Sequence, residues 1–172
     1  MVTLVLSIVG SDRPGLTQAL ANAVLSSGGN WLESHLSRLG GLYVGSVLVE
    51  LEEGGADNLR AAVREVDAQG LEVRISPAVV STEPAGETVE FSLVGQDRSG
   101  IVHQVTAILS RLDANIESFD TRLSTEAHSG VPLFHMDVRL RLPPPLRPQA
   151  VQAALEEISA EVMVDISLAQ AD

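Results

Sequence analysis

Val9-Gly10-Ser11-Asp12-Arg13-Pro14-Gly15-Leu16 returns as Val94-Gly95-Gln96-Asp97-Arg98-Ser99-Gly100-Ile101, displaced by 85 positions from Asp12 to Asp97. Each copy follows an alternating apolar run. Leu4, Leu6 and Ile8 alternate with Thr3, Val5 and Ser7, and Val89, Phe91 and Leu93 alternate with Thr88, Glu90 and Ser92. A period of two marks a strand. Each copy also opens a helical pattern, Leu16, Leu20, Ala23 and Val24 in one and Ile101, Val105, Ile108 and Leu112 in the other. A strand therefore turns through Gly-x-Asp-Arg-x-Gly into a helix N-terminus. Such a terminus presents unpaired N–H groups and partial positive charge, a ready site for a carboxylate or phosphate. Glycine admits a ligand close to the backbone. The alternative is that the glycines only make a tight turn and each Asp caps its helix. Two matched copies favour a shared architecture first and a shared site second.

Working outward, the first helix is expected from about Gly15 to Ser27, with Pro14 at its first position and Gly28-Gly29 as its stop. Asn30 and Asn115 each open a second strand. These strands align Glu33-Ser34 with Glu117-Ser118 and Arg38-Leu39 with Arg122-Leu123 at an offset of 84, so one residue is lost between the copies, at a bulge or a different turn. Gly40-Gly41 makes a hairpin into a third strand, Leu42 to about Leu51. In the second copy Ser124 to Pro132 is a longer polar connection. Phe134, Met136, Val138, Leu140 and Leu142 then oppose His135, Asp137, Arg139 and Arg141. Asp57 precedes a helix with Leu59, Ala62, Val63 and Val66 on one face. Pro143-Pro144-Pro145 makes a stiff entry to its counterpart, with Val151, Ala154, Leu155 and Ile158. Leu71, Val73 and Ile75 close the first half, and Val162, Val164 and Ile166 the second.

Each half therefore reads β-α-β-β-α-β. Right-handed crossovers make this an antiparallel four-stranded sheet with two helices on one face: an α+β chain of two ferredoxin-like domains in tandem. The expected division is a first domain over 1–80, a linker over 81–87 containing Pro84 and Gly86, and a second domain over 88–172. On the open sheet faces, Val5 and Val9 imply partial cover in the first domain. Glu90, Ser92, His135 and Asp137 imply exposure in the second.

The 172 residues carry a net charge of −12, with 11 basic residues, all Arg, against 23 acidic ones. That is a poor footprint for nucleic acid or an anionic membrane surface, so neither is an expected partner. No cysteine is present, which excludes disulfides and thiolate metal sites. No apolar run is long enough to span a membrane. The first basic residue, Arg13, follows the apolar run rather than preceding it, unlike a signal peptide, and the expected location is cytoplasmic. A phosphate-cradling Gly-x-x-x-x-Gly-Lys, a Gly-x-Ser-x-Gly elbow and a helical His-Glu-x-x-His are all missing from the sequence. Of the histidines His35, His103, His128 and His135, the last two with Asp137 present a metal site to weigh against simple surface histidines. Surface histidines are the favoured reading. His103, in the first turn of its helix, is either a ligand contact or exposed. No cofactor, metal or catalytic residue is expected, and no nucleophile–base pair marks an enzyme.

A tandem β-α-β-β-α-β with Asp12-Arg13-Pro14-Gly15 at the first strand-to-helix loop, and an Asn opening the second strand, resembles a pair of ACT domains. The Asp-Arg-Pro-Gly form is similar to that in uridylyltransferases and formyltetrahydrofolate deformylases, whose separate catalytic domains have no room here. A stand-alone pair resembles the glycine cleavage system transcriptional repressor family, as do Ser129-Gly130-Val131-Pro132-Leu133-Phe134 and Leu142-Pro143. The resemblance implies a module that senses a small amino acid such as glycine. It implies action on a transcriptional activator protein by contact and a homo-oligomer. Carried over by position, the ligand-binding residues are Asp12, Arg13, Gly15, Leu16 and Asn30 in the first domain. In the second they are Asp97, Arg98, Gly100, Ile101 and Asn115. N–H groups near Gly15 or Gly100 would hold the ligand carboxylate. Asp12 or Asp97 would accept from its ammonium, and Asn30 or Asn115 could reach either group. The expected site lies where the loop faces another ACT domain, of the same chain or a dimer mate. Ser99 replaces the motif's Pro, so the second loop loses a fixed φ. A structural or oligomerising pair without ligand is the competing reading.

Overall fold

The computed structural model describes residues 1–79, 85–125 and 130–157, together with the backbone of 162–168. The chain forms two compact units, Met1–Val80 and Ser81–Asp172. The first contains β1 (Val2–Ser11), α1 (Leu16–Ser26), β2 (Gly29–Leu39), β3 (Leu42–Leu51), α2 (Gly55–Asp67) and β4 (Leu71–Pro77). The second contains β5 (Glu87–Gln96), α3 (Ile101–Arg111), β6 (Asn115–Thr125), β7 (Pro132–Leu142), α4 (Pro148–Glu156) and β8 (Val162–Leu168). The sheets have the orders β2-β3-β1-β4 and β6-β7-β5-β8, with every neighbouring pair antiparallel. These are two ferredoxin-like βαββαβ units in tandem, as the sequence pattern implied. Strand β5 begins inside the segment expected as linker, of which residues 81–84 lie outside the described residues.

Alternation decides the faces. Leu4, Leu6 and Ile8 of β1 pair with Val49, Val47 and Gly45 of β3 and face the helices. Leu16, Leu20 and Val24 of α1 and Leu59, Val63 and Val66 of α2 close over them in one buried cluster. The second unit repeats this with Val89, Phe91 and Leu93 under Ile101, Val105 and Leu109 of α3 and Val151 and Leu155 of α4. Ile158 and the side chains of Val162, Val164 and Ile166 lie outside the described residues. On the open faces the units differ. Val9 is 48% exposed, while Val5, Val44 and Leu48 are half-buried. Val94 keeps the valine of Val9 in the second unit, whereas Glu90, His135 and Arg139 stand in place of Val5, Val44 and Leu48. Arg139 lies 3.8 Å from Glu90 and 3.7 Å from Glu117, and Arg141 bonds Glu117 at 2.6 Å.

The structure corrects four local readings. The helix α1 starts at Leu16, not Gly15, and Pro14 precedes the N-cap instead of occupying the first helical position. Gly15 is that N-cap, at φ 93, a left-handed conformation from which the helix cannot extend backwards. Likewise α2 starts at Gly55 after Gly54 at φ 98, which places Asp57 inside the first turn, ion-paired to Arg60 at 2.6 Å. Neither Asp12 nor Asp97 caps its helix: the N-caps are Gly15 and Gly100, with no side-chain cap. Finally, no residue is lost between the second strands. Both carry a bulge at the same place, between Trp31 and Glu33 and between Ile116 and Ser118, so the offset stays at that of the loops. Arg38 pairs with Tyr43 beside Gly10, and Leu123 with Phe134 beside Gly95. Arg38 therefore corresponds to Leu123, whereas Arg122 faces the other side of its sheet. A one-residue slip in a strand exchanges the faces.

Candidate functional site

The loops following β1 and β5 are built alike. In the first, Ala19 N–H donates to the Gly15 carbonyl at 2.9 Å, which leaves the N–H groups of Leu16, Thr17 and Gln18 outside the helical ladder. In the second, Gln104 N–H donates to the Gly100 carbonyl at 3.0 Å, and Ile101 N–H reaches the Arg98 carbonyl at 3.4 Å. Gly15 and Gly100, at φ 93 and 87, have nothing within 4 Å of where a Cβ would stand, so the space beside both turns is open. Leu16 and Ile101 are 5% and 3% exposed. Their side chains belong to the cores, and only their backbone is available at the loops.

Gly10 does not serve a ligand's approach. A Cβ there would land on the Gly70 carbonyl oxygen, because the α2–β4 turn crosses at that point, and Ser11 N–H donates to the same carbonyl at 3.1 Å. Arg13 extends to the same turn: its Nη2 lies 3.7 Å from where a Gly70 Cβ would stand. Asp12 turns the other way, its Oδ2 2.9 Å from Nε of Arg38. Thr17 Oγ1, in the first turn of α1, donates to Tyr43 Oη at 2.9 Å. Arg38 and Tyr43 were not among the expected site residues. Their signal lay in strand register, which the offset of 84 obscured.

The second loop lacks these ties among the described residues. Leu123, Phe134 and Val102 stand where Arg38, Tyr43 and Thr17 stand in the first unit. Asp97 has no ion pair among the described residues, and its N–H donates to the Pro132 carbonyl at 3.0 Å. Nη2 of the half-buried Arg98 is shielded from solvent without a hydrogen-bond partner.

Asn30 and Asn115 do not join the loops of their own units. Asn30 pairs with Glu50 at the level of Thr3, whereas Ser11 pairs with Leu42 at the level of Leu39. Strand β2 runs parallel to β1, so its head lies at the opposite end of the sheet from Asp12, roughly 26 Å along the strand at about 3.3 Å per residue. Asn115 is displaced from Asp97 in the same way, level with Thr88. It lines a shallow depression of about 340 Å³ with Ser110, Asp113 and Ile116. The expected convergence of loop and amide within one unit is not what the fold makes.

The histidines separate too. His103 is exposed, and His35 bonds Glu33 at 3.0 Å. His135 Nε2 lies 2.6 Å from Ser124 Oγ, while Asp137 accepts from Ser92 Oγ at 2.6 Å; His128 lies outside the described residues.

Residues 2–76 match the model of the family described as ACT domain. No curated protein matches the chain in sequence. Among solved structures, an unknown protein from Galdieria sulphuraria is 29% identical, with a TM-score of 0.85 over 98% of this chain and 99% of that one. A provisionally named glycine cleavage system transcriptional repressor is 16% identical, with a TM-score of 0.68 over 98% of each chain, a likeness of fold. Residues 2–76 thus carry the ACT sequence pattern, and the second unit repeats the element order and strand order of the first.

Proposed function

We propose that this chain is a non-enzymatic regulatory protein that responds to a small amino acid, glycine being the minimal case. The amino acid binds at a strand-to-helix loop, and the bound state is read by a transcriptional activator protein through direct contact, in the manner of a glycine cleavage system repressor. The duplicated loop carries the reading. Each copy sets N–H groups outside the helical ladder beside a left-handed glycine and places a carboxylate three residues upstream. A zwitterion needs donors for its carboxylate and an acceptor for its ammonium, and the loop holds both. Asn30 or Asn115 joins such a site from a second copy of the chain, which makes a homo-oligomer part of the proposal. The net charge of −12 directs the regulatory contact to protein and not to nucleic acid.

A structural pair without ligand is the second reading, and the Asp12–Arg38 ion pair favours it, because that carboxylate already has a cation. A thermal-shift series with the proteinogenic amino acids separates the two. Under the proposal at least one raises the melting temperature, since a ligand that binds only the folded state stabilises it. Replacing both aspartates (Asp12→Asn with Asp97→Asn) then weakens binding by about 1–3 kcal/mol, the range for a charge-assisted contact. A flat response to every amino acid establishes the structural pair instead.

A further inference from the structure

The two loops share a backbone and differ in what surrounds the carboxylate. In the first unit Asp12 is held by Arg38 at 2.9 Å, and the start of α1 is tied to β3 by the Thr17–Tyr43 hydroxyl bond. In the second, Leu123, Val102 and Phe134 replace the three partner side chains, Asp97 has no ion pair among the described residues, and Arg98 Nη2 is buried without an acceptor. A guanidinium N–H at hydrogen-bond distance from a carboxylate makes the contact that a ligand's ammonium would make.

We infer that Arg38 is a built-in competitor for the first loop, so that an amino acid binds preferentially at the second, with Asp97 accepting from its ammonium and the N–H groups beside Gly100 donating to its carboxylate. This rests on the reading of the loops as amino-acid sites and goes beyond it by naming the side chain that makes them unequal. The competition is graded. Side-chain exposures of 70% for Arg38 and 42% for Asp12 leave the pair in water. An exposed pair of that kind shifts binding by about two- to fivefold. Arg38 thus ranks the sites without abolishing the first.

Amide chemical shifts of Gly15 and Gly100 report the two loops separately in one ¹⁵N-labelled sample of the full chain. Glycine is the probe, because it carries the head group of every α-amino acid and nothing else. The Gly100 amide is expected to respond at lower glycine concentration than Gly15. Arg38→Leu, which installs the residue already 62% exposed at Leu123, should lower the Gly15 midpoint about two- to fivefold and leave Gly100 unmoved. Leu123→Arg should raise the Gly100 midpoint. The same spectra show that each variant is folded. Equal midpoints indifferent to Arg38, or a first response at Gly15, overturn the inference while leaving the loops as ligand sites. Titration of neither amide overturns both.

Discussion

Gly10 shows how one motif residue takes its role from a neighbour remote in sequence. It sits inside β1 beside the Asp12-Arg13-Pro14-Gly15 loop, yet the group that approaches it is the Gly70 carbonyl. Gly10→Ala must push that backbone away, and overpacking of this kind costs about 1–3 kcal/mol, measurable by urea unfolding. Gly15 and Gly100 differ: their surroundings are open, and the strain of a substitution lies in φ. Gly15→Ala is expected to cost about 1–2 kcal/mol without any steric neighbour, and thermal melting in the absence of ligand checks it. Asp12 caps nothing, and its ion pair is solvated. Asp12→Asn should therefore change unliganded stability by no more than about 1 kcal/mol. A larger loss in the same melt would give Asp12 a structural role that the geometry lacks.

At the scale of elements, face assignment follows the two-residue period, and β1 displays it. Leu6 is fully buried against Val47 and Ile75, and the adjacent Ser7 lies on the open face. Leu6→Ala should cost about 2–5 kcal/mol, and Ser7→Ala should stay within about 0.5 kcal/mol, compared by chemical denaturation. The alternation of Leu4, Leu6 and Ile8, and of their counterparts at Val89, Phe91 and Leu93, made these faces legible in the sequence. Strand β2 was less legible. Its bulge adds one residue to one strand, and both copies carry it. A bulge shared by both copies leaves their offset unchanged; it was the similarity of Arg38-Leu39 with Arg122-Leu123 that drew the alignment one residue out of register. That slip placed Arg122 on the face that Leu123 occupies.

For the whole molecule, each unit has its own buried cluster, from Leu4 to Val73 in one and from Val89 to Leu155 in the other. A unit with its own core is expected to fold alone. Residues 1–80 expressed separately should melt cooperatively with mixed helix and strand circular dichroism; a non-cooperative melt would show that the first core depends on the second unit. The same scale carries the charge. With 23 acidic against 11 basic residues, the full chain should leave duplex DNA unretarded in gel-shift assays at physiological salt. Retention of a specific sequence without any partner protein would contradict a function exerted through protein contact.

The sequence by itself determined the repeat, the element order of both halves, the core faces and the acidic surface, because each is written in local periodicity or composition. Tertiary structure decided where the loops' neighbours come from. The parallel direction of β1 and β2 carried Asn30 away from Asp12. Strand pairing through β3 brought Arg38 to Asp12 and Leu123 to the equivalent place in the second unit. A helix that returns along the strand before the next one starts must place the heads of successive strands level with each other, so the head of β2 and the loop at the far end of β1 stand a full strand apart. A contact between side chains on separate strands depends on register, which a single bulge shifts and no local pattern records.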